Sequence, residues 1–129
     1  MEWHRTRTDE VIWAIIAEED CRCLGHIGLY KIDQRSRTAE LGIMIGDRSA
    51  WGHGIGYQAS LFALRHAFMQ ENLNRISLTV IPTNERAIRL YRRLGFIEEG
   101  RLRQVLYRDG QYLDLIAMGL LKSEFVDEE

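Results

Sequence analysis

Between residues 10 and 46 apolar and polar positions alternate in three short runs. The first two, "VIWAIIAEED" and "CRCLGHIGLYKI", are rich in β-branched and aromatic residues around a charged turn, which predicts a pair of hairpin strands. After the polar break "DQRSR" comes a third, "TAELGIMIG", in which Ala39, Leu41, Ile43 and Ile45 alternate with Glu40, Gly42 and Met44. The period then changes. Ile55, Ala59, Phe62, Ala63 and Ala67 recur at helical spacing, and Leu61, Leu64 and Phe68 widen the stripe, so a helix is expected from about residue 55 to 71. "RISLTVI" reads as a strand. In "PTNERAIRLYRRLGF" the stop at Pro82, a cap at Thr83 or Asn84, the stripe Ala87, Leu90, Tyr91 and Leu94, and Gly95 at the left-handed end position predict a second, shorter helix. Two further runs flank Asp109-Gly110, a strong hairpin signal. The order predicts an α/β fold with a mixed, mostly antiparallel central sheet and flanking helices.

At 129 residues and 46% hydrophobic content, with one proline and no low-complexity tract, the expectation is a single domain over residues 1–129. A net charge of -2 gives no footprint for nucleic acid, whose phosphates call for a basic surplus. "MEWHRTRTDE" carries charge where a signal peptide needs an apolar run, and no segment approaches a membrane span; a cytoplasmic protein is expected. Cys21 and Cys23, one residue apart, would face opposite sides of an extended segment. That spacing suits neither a disulfide nor a zinc site; two free thiols fit a reducing compartment, and no metal is expected.

"AWGHGIGYQAS" places Gly52, Gly54 and Gly56 directly before the first helix. Glycines that let backbone N–H groups converge, followed by the partial positive charge of a helix N-terminus, form an anion site suited to phosphate. The P-loop pattern is excluded, because Tyr57 and Gln58 follow Gly56 where Lys and Ser/Thr are required. Gly54, Gly56 and Ala59 nominally meet the dinucleotide fingerprint, but that motif follows the first strand of a parallel unit, and here three apparently antiparallel strands precede it. A tight turn with no ligand accounts for one glycine more readily than for three.

"TNERAIRLYRRLGF" after the strand "RISLTVI", about thirty residues beyond a Trp-x-x-Gly-x-Gly loop, resembles the GCN5-related N-acetyltransferase family. The wording "WGHGIG", "NERAIRLYRRLGF" and "DGQYLDLIAMGLL" resembles its branch of ribosomal-protein and polyamine acetyltransferases, over roughly residues 10 to 122. The resemblance implies the acyl-CoA N-acyltransferase fold, acetyl-CoA as donor, and transfer of the acetyl group to a primary amine of a small molecule or a protein N-terminus.

Residue by residue, it implies that the acyl-CoA loop falls on Trp51, Gly54 and Gly56. The backbone N–H groups of Gly52, His53, Gly54, Ile55, Gly56 and Tyr57 would hold the pyrophosphate. His53 stands where the branch usually has Lys or Arg, and is read equally as a phosphate contact or a loop residue without a role. Ile43, Met44 and Ile45 would offer their backbone to the pantetheine amides, the ligand acting as a partial added strand. Tyr91 is either a core aromatic or, as in the family, the acid that protonates the departing thiolate. Asn84 is a helix cap first and a CoA contact second. Glu40, opposite in direction to Leu41 and Ile43, is either a solvated strand residue or the base that neutralises the amine. His26 and His66 are weaker candidates. Family members also open with helices for which nine residues before "EVIWAIIA" leave no room, so the fold is expected to be N-terminally shortened. A homodimer that covers the exposed surface is expected, with a CoA-binding sensor lacking efficient catalysis as the alternative reading.

Overall fold

The protein is described by a computed structural model covering residues 2–7 (backbone only), 9–46 and 54–126. Seven strands form one sheet in the order β1-β2-β3-β4-β5-β7-β6. They are β1 (Glu2–Arg7), β2 (Glu10–Ile16), β3 (Cys23–Asp33), β4 (Thr38–Ile45), β5 (Arg75–Val80), β6 (Ile97–Arg108) and β7 (Gln111–Leu121). Helix α1 (Ile55–Arg65) lies between β4 and β5 in the chain, and α2 (Glu85–Leu94) between β5 and β6. Every neighbouring pair is antiparallel except β4 and β5, which agrees with the mixed, mostly antiparallel reading. No described helix is long and apolar enough to cross a membrane.

The alternation in the sequence sorts the sheet into two faces. Val11, Trp13 and Ile15 of β2, Ile27 and Leu29 of β3, Ala39 and Leu41 of β4, Ile76, Leu78 and Val80 of β5 and Met118 and Leu120 of β7 are buried on one face. Helix α1 packs there through Ala59, Leu61, Ala63 and Leu64, and α2 through Tyr91 and Leu94. On the other face, where no helix is found among the described residues, the positions are half-buried or exposed: Ile12, Ala14, Tyr30, Glu40 and Met44.

Three sequence expectations need correction. The first helix is regular only to Arg65; His66–Gln70 is a π-helical turn, closed by Asn72 at φ 55°. Phe62, counted in the apolar stripe, is 39% exposed and meets the Trp13 ring at right angles, with ring centroids 5.5 Å apart. Ser60 takes an interior place instead, its Oγ buried without a hydrogen-bond partner among the described residues. Cys21 is not in an extended segment: it sits in a turn at φ 58°, and only Cys23 begins β3. Both thiols are free and exposed.

The local stop signals acted as read. Asn84 Oδ1 accepts the Ala87 N–H at 3.2 Å, Gly95 closes α2 at φ 106°, and Asp109 and Gly110 both have positive φ, as a type I′ turn requires. The segment "EWHRTR" forms the edge strand β1 against β2.

Candidate active site

The parallel pairing of β4 with β5 consists of three rungs, Thr38–Arg75, Ala39–Ile76 and Glu40–Ser77. Both strands continue past it, β4 to Ile45 and β5 to Val80, each still paired on its other side. A fork therefore opens in the middle of the sheet, and a slot between parallel strands gives a ligand backbone to bond to.

On the helix face the fork leads into a cavity of about 500 Å³. Its walls are Ile43 and Ile45 of β4, the start of α1 from Gly54 to Tyr57, and the inner side of α2 from Asn84 to Arg93. Gly54 occupies the N-cap position of α1 at φ 75°, a conformation that costs glycine nothing. Among the described residues no side chain caps this helix, and its first turn has no acidic residue. The first bond back into the helix is Gln58 N–H to Gly54 O at 3.0 Å, so the N–H groups of Ile55, Gly56 and Tyr57 have no intrahelical partner. They stand at the cavity wall with the positive end of the helix dipole.

The two described glycines of this loop differ in their reason. A Cβ on Gly54 would meet none of the described residues within 4 Å, so its role is backbone conformation and open approach. A Cβ on Gly56 would stand 3.3 Å from Leu90 Cδ2 and 3.7 Å from Ile45 Cδ1. Gly56 is thus also a packing glycine that lets α1 approach α2, which the loop pattern alone did not reveal. Trp51, Gly52 and His53 lie outside the described residues.

Tyr91 is 7% exposed, packs edge-on against Phe96 with centroids 5.8 Å apart, and still lines the cavity. Burial pushes its phenol above the usual tyrosine range, so the hydroxyl carries its proton at neutral pH. Among the described residues no group hydrogen-bonds that hydroxyl. Asn84 both caps α2 and lines the cavity.

Not every candidate converges on the cavity. Glu40 and Met44 project from the opposite face of the sheet. Glu40 is exposed there, its Oε2 3.5 Å from Lys31 Nζ, although its backbone makes the last rung before the fork. His26 lies on that face, opposite Met44. His66 lies against Trp13 with its Nε2 3.0 Å from Glu71 Oε2 and is not part of the cavity. Sequence reasoning missed Arg86, Arg89 and Arg93, which line the cavity at successive turns of α2; Arg93 stacks 3.9 Å over the Tyr57 ring. Their i, i+3, i+7 spacing was the available signal. Among the described residues no three His, Cys, Asp or Glu side chains are grouped to hold a metal ion.

A mixed sheet forked between two parallel strands, with an uncapped helix N-terminus at the fork, is the architecture of the acyl-CoA N-acyltransferases. The comparisons with known proteins agree. The family model described as an acetyltransferase (GNAT) domain matches residues 1–97, and the chain belongs to that family. It is similar to the uncharacterized N-acetyltransferase p20 of Bacillus licheniformis, with 35% identity over 113 residues, 88% of this chain and 63% of the relative. It is also similar to the spermidine N(1)-acetyltransferase of Escherichia coli, with 33% identity over 113 residues, 88% of this chain and 60% of that one. A crystal structure of the Vibrio cholerae spermidine N-acetyltransferase in complex with CoA and spermine superposes with a TM-score of 0.85 at 30% identity, covering 91% of this chain and 68% of that one. The chain thus spans less than two thirds of the length of the two curated relatives named.

Proposed function

We propose that this chain transfers the acetyl group of acetyl-CoA to a primary amine, and that a small cationic amine is its acceptor. The observation that carries the reading is the pairing of an uncapped, glycine-opened helix N-terminus with a forked strand on one cavity. Acetyl-CoA needs both: an anion site for its pyrophosphate and a strand edge for its pantetheine amides. Among the described residues, the N–H groups of Gly54, Ile55, Gly56 and Tyr57 hold the first. The backbone of Ile43, Met44 and Ile45 meets the second. Asn84 and the arginines of α2 line the same space, and their positive charge favours a polyanionic donor.

The chemistry follows from the two sides of the fork. Glu40, at its last rung, takes a proton from the incoming ammonium, directly or through one water. The neutral amine nitrogen attacks the thioester carbonyl and the C–N bond forms; as the tetrahedral adduct collapses, the C–S bond breaks and the nitrogen's second proton passes to solvent water. Tyr91 gives its proton to the departing sulfur and is reprotonated from solvent. The relatives named for spermidine acetylation support a polyamine as an acceptor. The helix-free face and the exposed Leu102, Tyr107 and Tyr112 of the β6–β7 hairpin support a homodimer in solution.

Free-thiol release from acetyl-CoA, measured with spermidine, amino acids, aminoglycosides and N-terminal peptides, tests the reading. The expected result is turnover with at least one amine, fastest with spermidine. Binding of acetyl-CoA without transfer to any acceptor would replace it with the CoA-sensor reading.

A further inference from the structure

On the helix-free face, two glycines in neighbouring central strands stand opposite each other, Gly28 of β3 and Gly42 of β4. Mid-strand glycines weaken a sheet and mark places where something else must come close. Here that is the ring of Tyr30. A Cβ on Gly28 would stand 2.7 Å from Tyr30 Cζ and 2.8 Å from Oη, and one on Gly42 would stand 2.9 Å from Cε2. The ring lies down across the glycine pair.

Its position relative to the fork gives it a use. The β4–β5 rungs stop at Glu40, and Tyr30 is the residue paired with Glu40 on β3. Gly42 is two residues into the fork, so the ring laps onto the strand where the sheet opens. Tyr30 is only half-buried, which leaves part of the ring exposed on this face. Glu10 and Glu40 stand on either side of it, in β2 and β4. An ammonium already rests here: Lys31 Nζ lies 3.5 Å from Glu40 Oε2 on a side chain 77% exposed, free to yield to another cation.

We propose that Tyr30 is a specificity-determining residue for the acceptor, its ring forming the wall along which the carbon chain of a diamine or polyamine lies, with the distal ammonium against the ring face. The proposal rests on the acetyltransferase reading for the direction of approach: donor from the helix face, acceptor from the other. A ring clamped flat by two glycines has little rotamer freedom left to lose on binding. An aromatic face attracts an ammonium through its quadrupole, and more so where solvent is partly excluded. Burial and the charge of Glu10 push the Tyr30 phenol up, so the wall itself stays neutral and does not compete for the cation.

The test is calorimetric titration of spermidine, with n-butylamine as a singly charged control, into the full chain loaded with CoA, alongside steady-state KM values. Tyr30→Ala is expected to weaken spermidine about five- to thirty-fold, the span of a cation–π contact, with a smaller effect on n-butylamine and none on CoA affinity. Tyr30→Phe, which keeps the ring, stays within about twofold of wild type. Gly28→Ala, which pushes the ring off its seat, reproduces the loss in the wild-type background and adds nothing in a Tyr30→Ala background. If Tyr30→Ala does not fold, Tyr30→Leu fills the volume without the π face and gives the same readout. Unchanged spermidine affinity in Tyr30→Ala, or an undiminished Gly28→Ala effect without Tyr30, overturns the proposal, as does a wild-type protein that binds no amine of the panel. A wild-type protein that binds spermidine through Tyr30 but not CoA would instead overturn the acetyltransferase reading and leave this one standing.

Discussion

The two helices meet the cavity with opposite chemistry. At α2 the N-terminal donors are answered within the chain, by Asn84 Oδ1 on the Ala87 N–H, and Glu85 complements the dipole. At α1 no described residue caps the turn, and the donors of Ile55, Gly56 and Tyr57 stand at the cavity wall. One helix spends its main chain on itself and offers side chains, Tyr91 and the arginines; the other offers its main chain. A helix terminus left open beside one that is closed indicates where an anion belongs. Changes to Tyr91 or to the capped start of α2 should therefore alter chemistry or stability, whereas changes to the mouth of α1 should alter binding.

The largest effect expected is on the side-chain helix. Tyr91→Phe removes the acid but keeps the ring against Phe96, so kcat should fall about 100- to 10,000-fold while acetyl-CoA affinity stays nearly constant. Because burial holds the phenol above its ordinary range, the wild-type rate should show no alkaline loss from this group below about pH 10. Steady-state kinetics across pH check both. A rate within about twofold of wild type would assign the proton to water.

Gly54→Val should do the reverse. A β-branched residue resists φ 75° and turns the first N–H groups away, while none of the described residues packs against the site. Acetyl-CoA binding by calorimetry should weaken about tenfold or more, with the melting temperature little changed. Gly56→Val is a poorer test of the same point, since its side chain would press on Leu90 and shift α2 as well.

The smallest effect isolates the closed terminus. Asn84→Ala removes the cap and should cost about 1 kcal/mol of stability in denaturant melts, with a change in acetyl-CoA affinity well below that of Gly54→Val. An affinity loss as large as that of Gly54→Val would make Asn84 a ligand contact first and erase the contrast between the helices.

The contrast also marks what the chain discloses before it folds. Asn84, Gly95 and Asp109-Gly110 act on their own neighbours within a few residues, and each was legible from type and position alone. The strand alternation of β4 gave the correct faces, with Glu40 opposite to Leu41 and Ile43, but the expectation that Glu40 points toward the cleft fails, because that face of the sheet lies away from the cavity. What could not be read were relations between distant segments. The fork depends on where β5 leaves β4, and no residue in either strand announces it. Phe62 fits the helical stripe, yet it stays 39% exposed in the fold. Gly56 resembled a loop glycine because its neighbour, Leu90, is more than thirty residues away. Gly28 and Gly42 were visible as mid-strand glycines, but the ring that needs them lies across two strands.

The central claim is that the open terminus of α1 is the pyrophosphate site. Amide resonances of the labelled protein, followed during titration with CoA, test it most directly. The account predicts the largest shifts at Ile55, Gly56 and Tyr57, with small ones at Glu85, Arg86 and Ala87 of the closed terminus. Shifts concentrated at the start of α2 with the α1 amides unmoved, at saturating CoA, would contradict it.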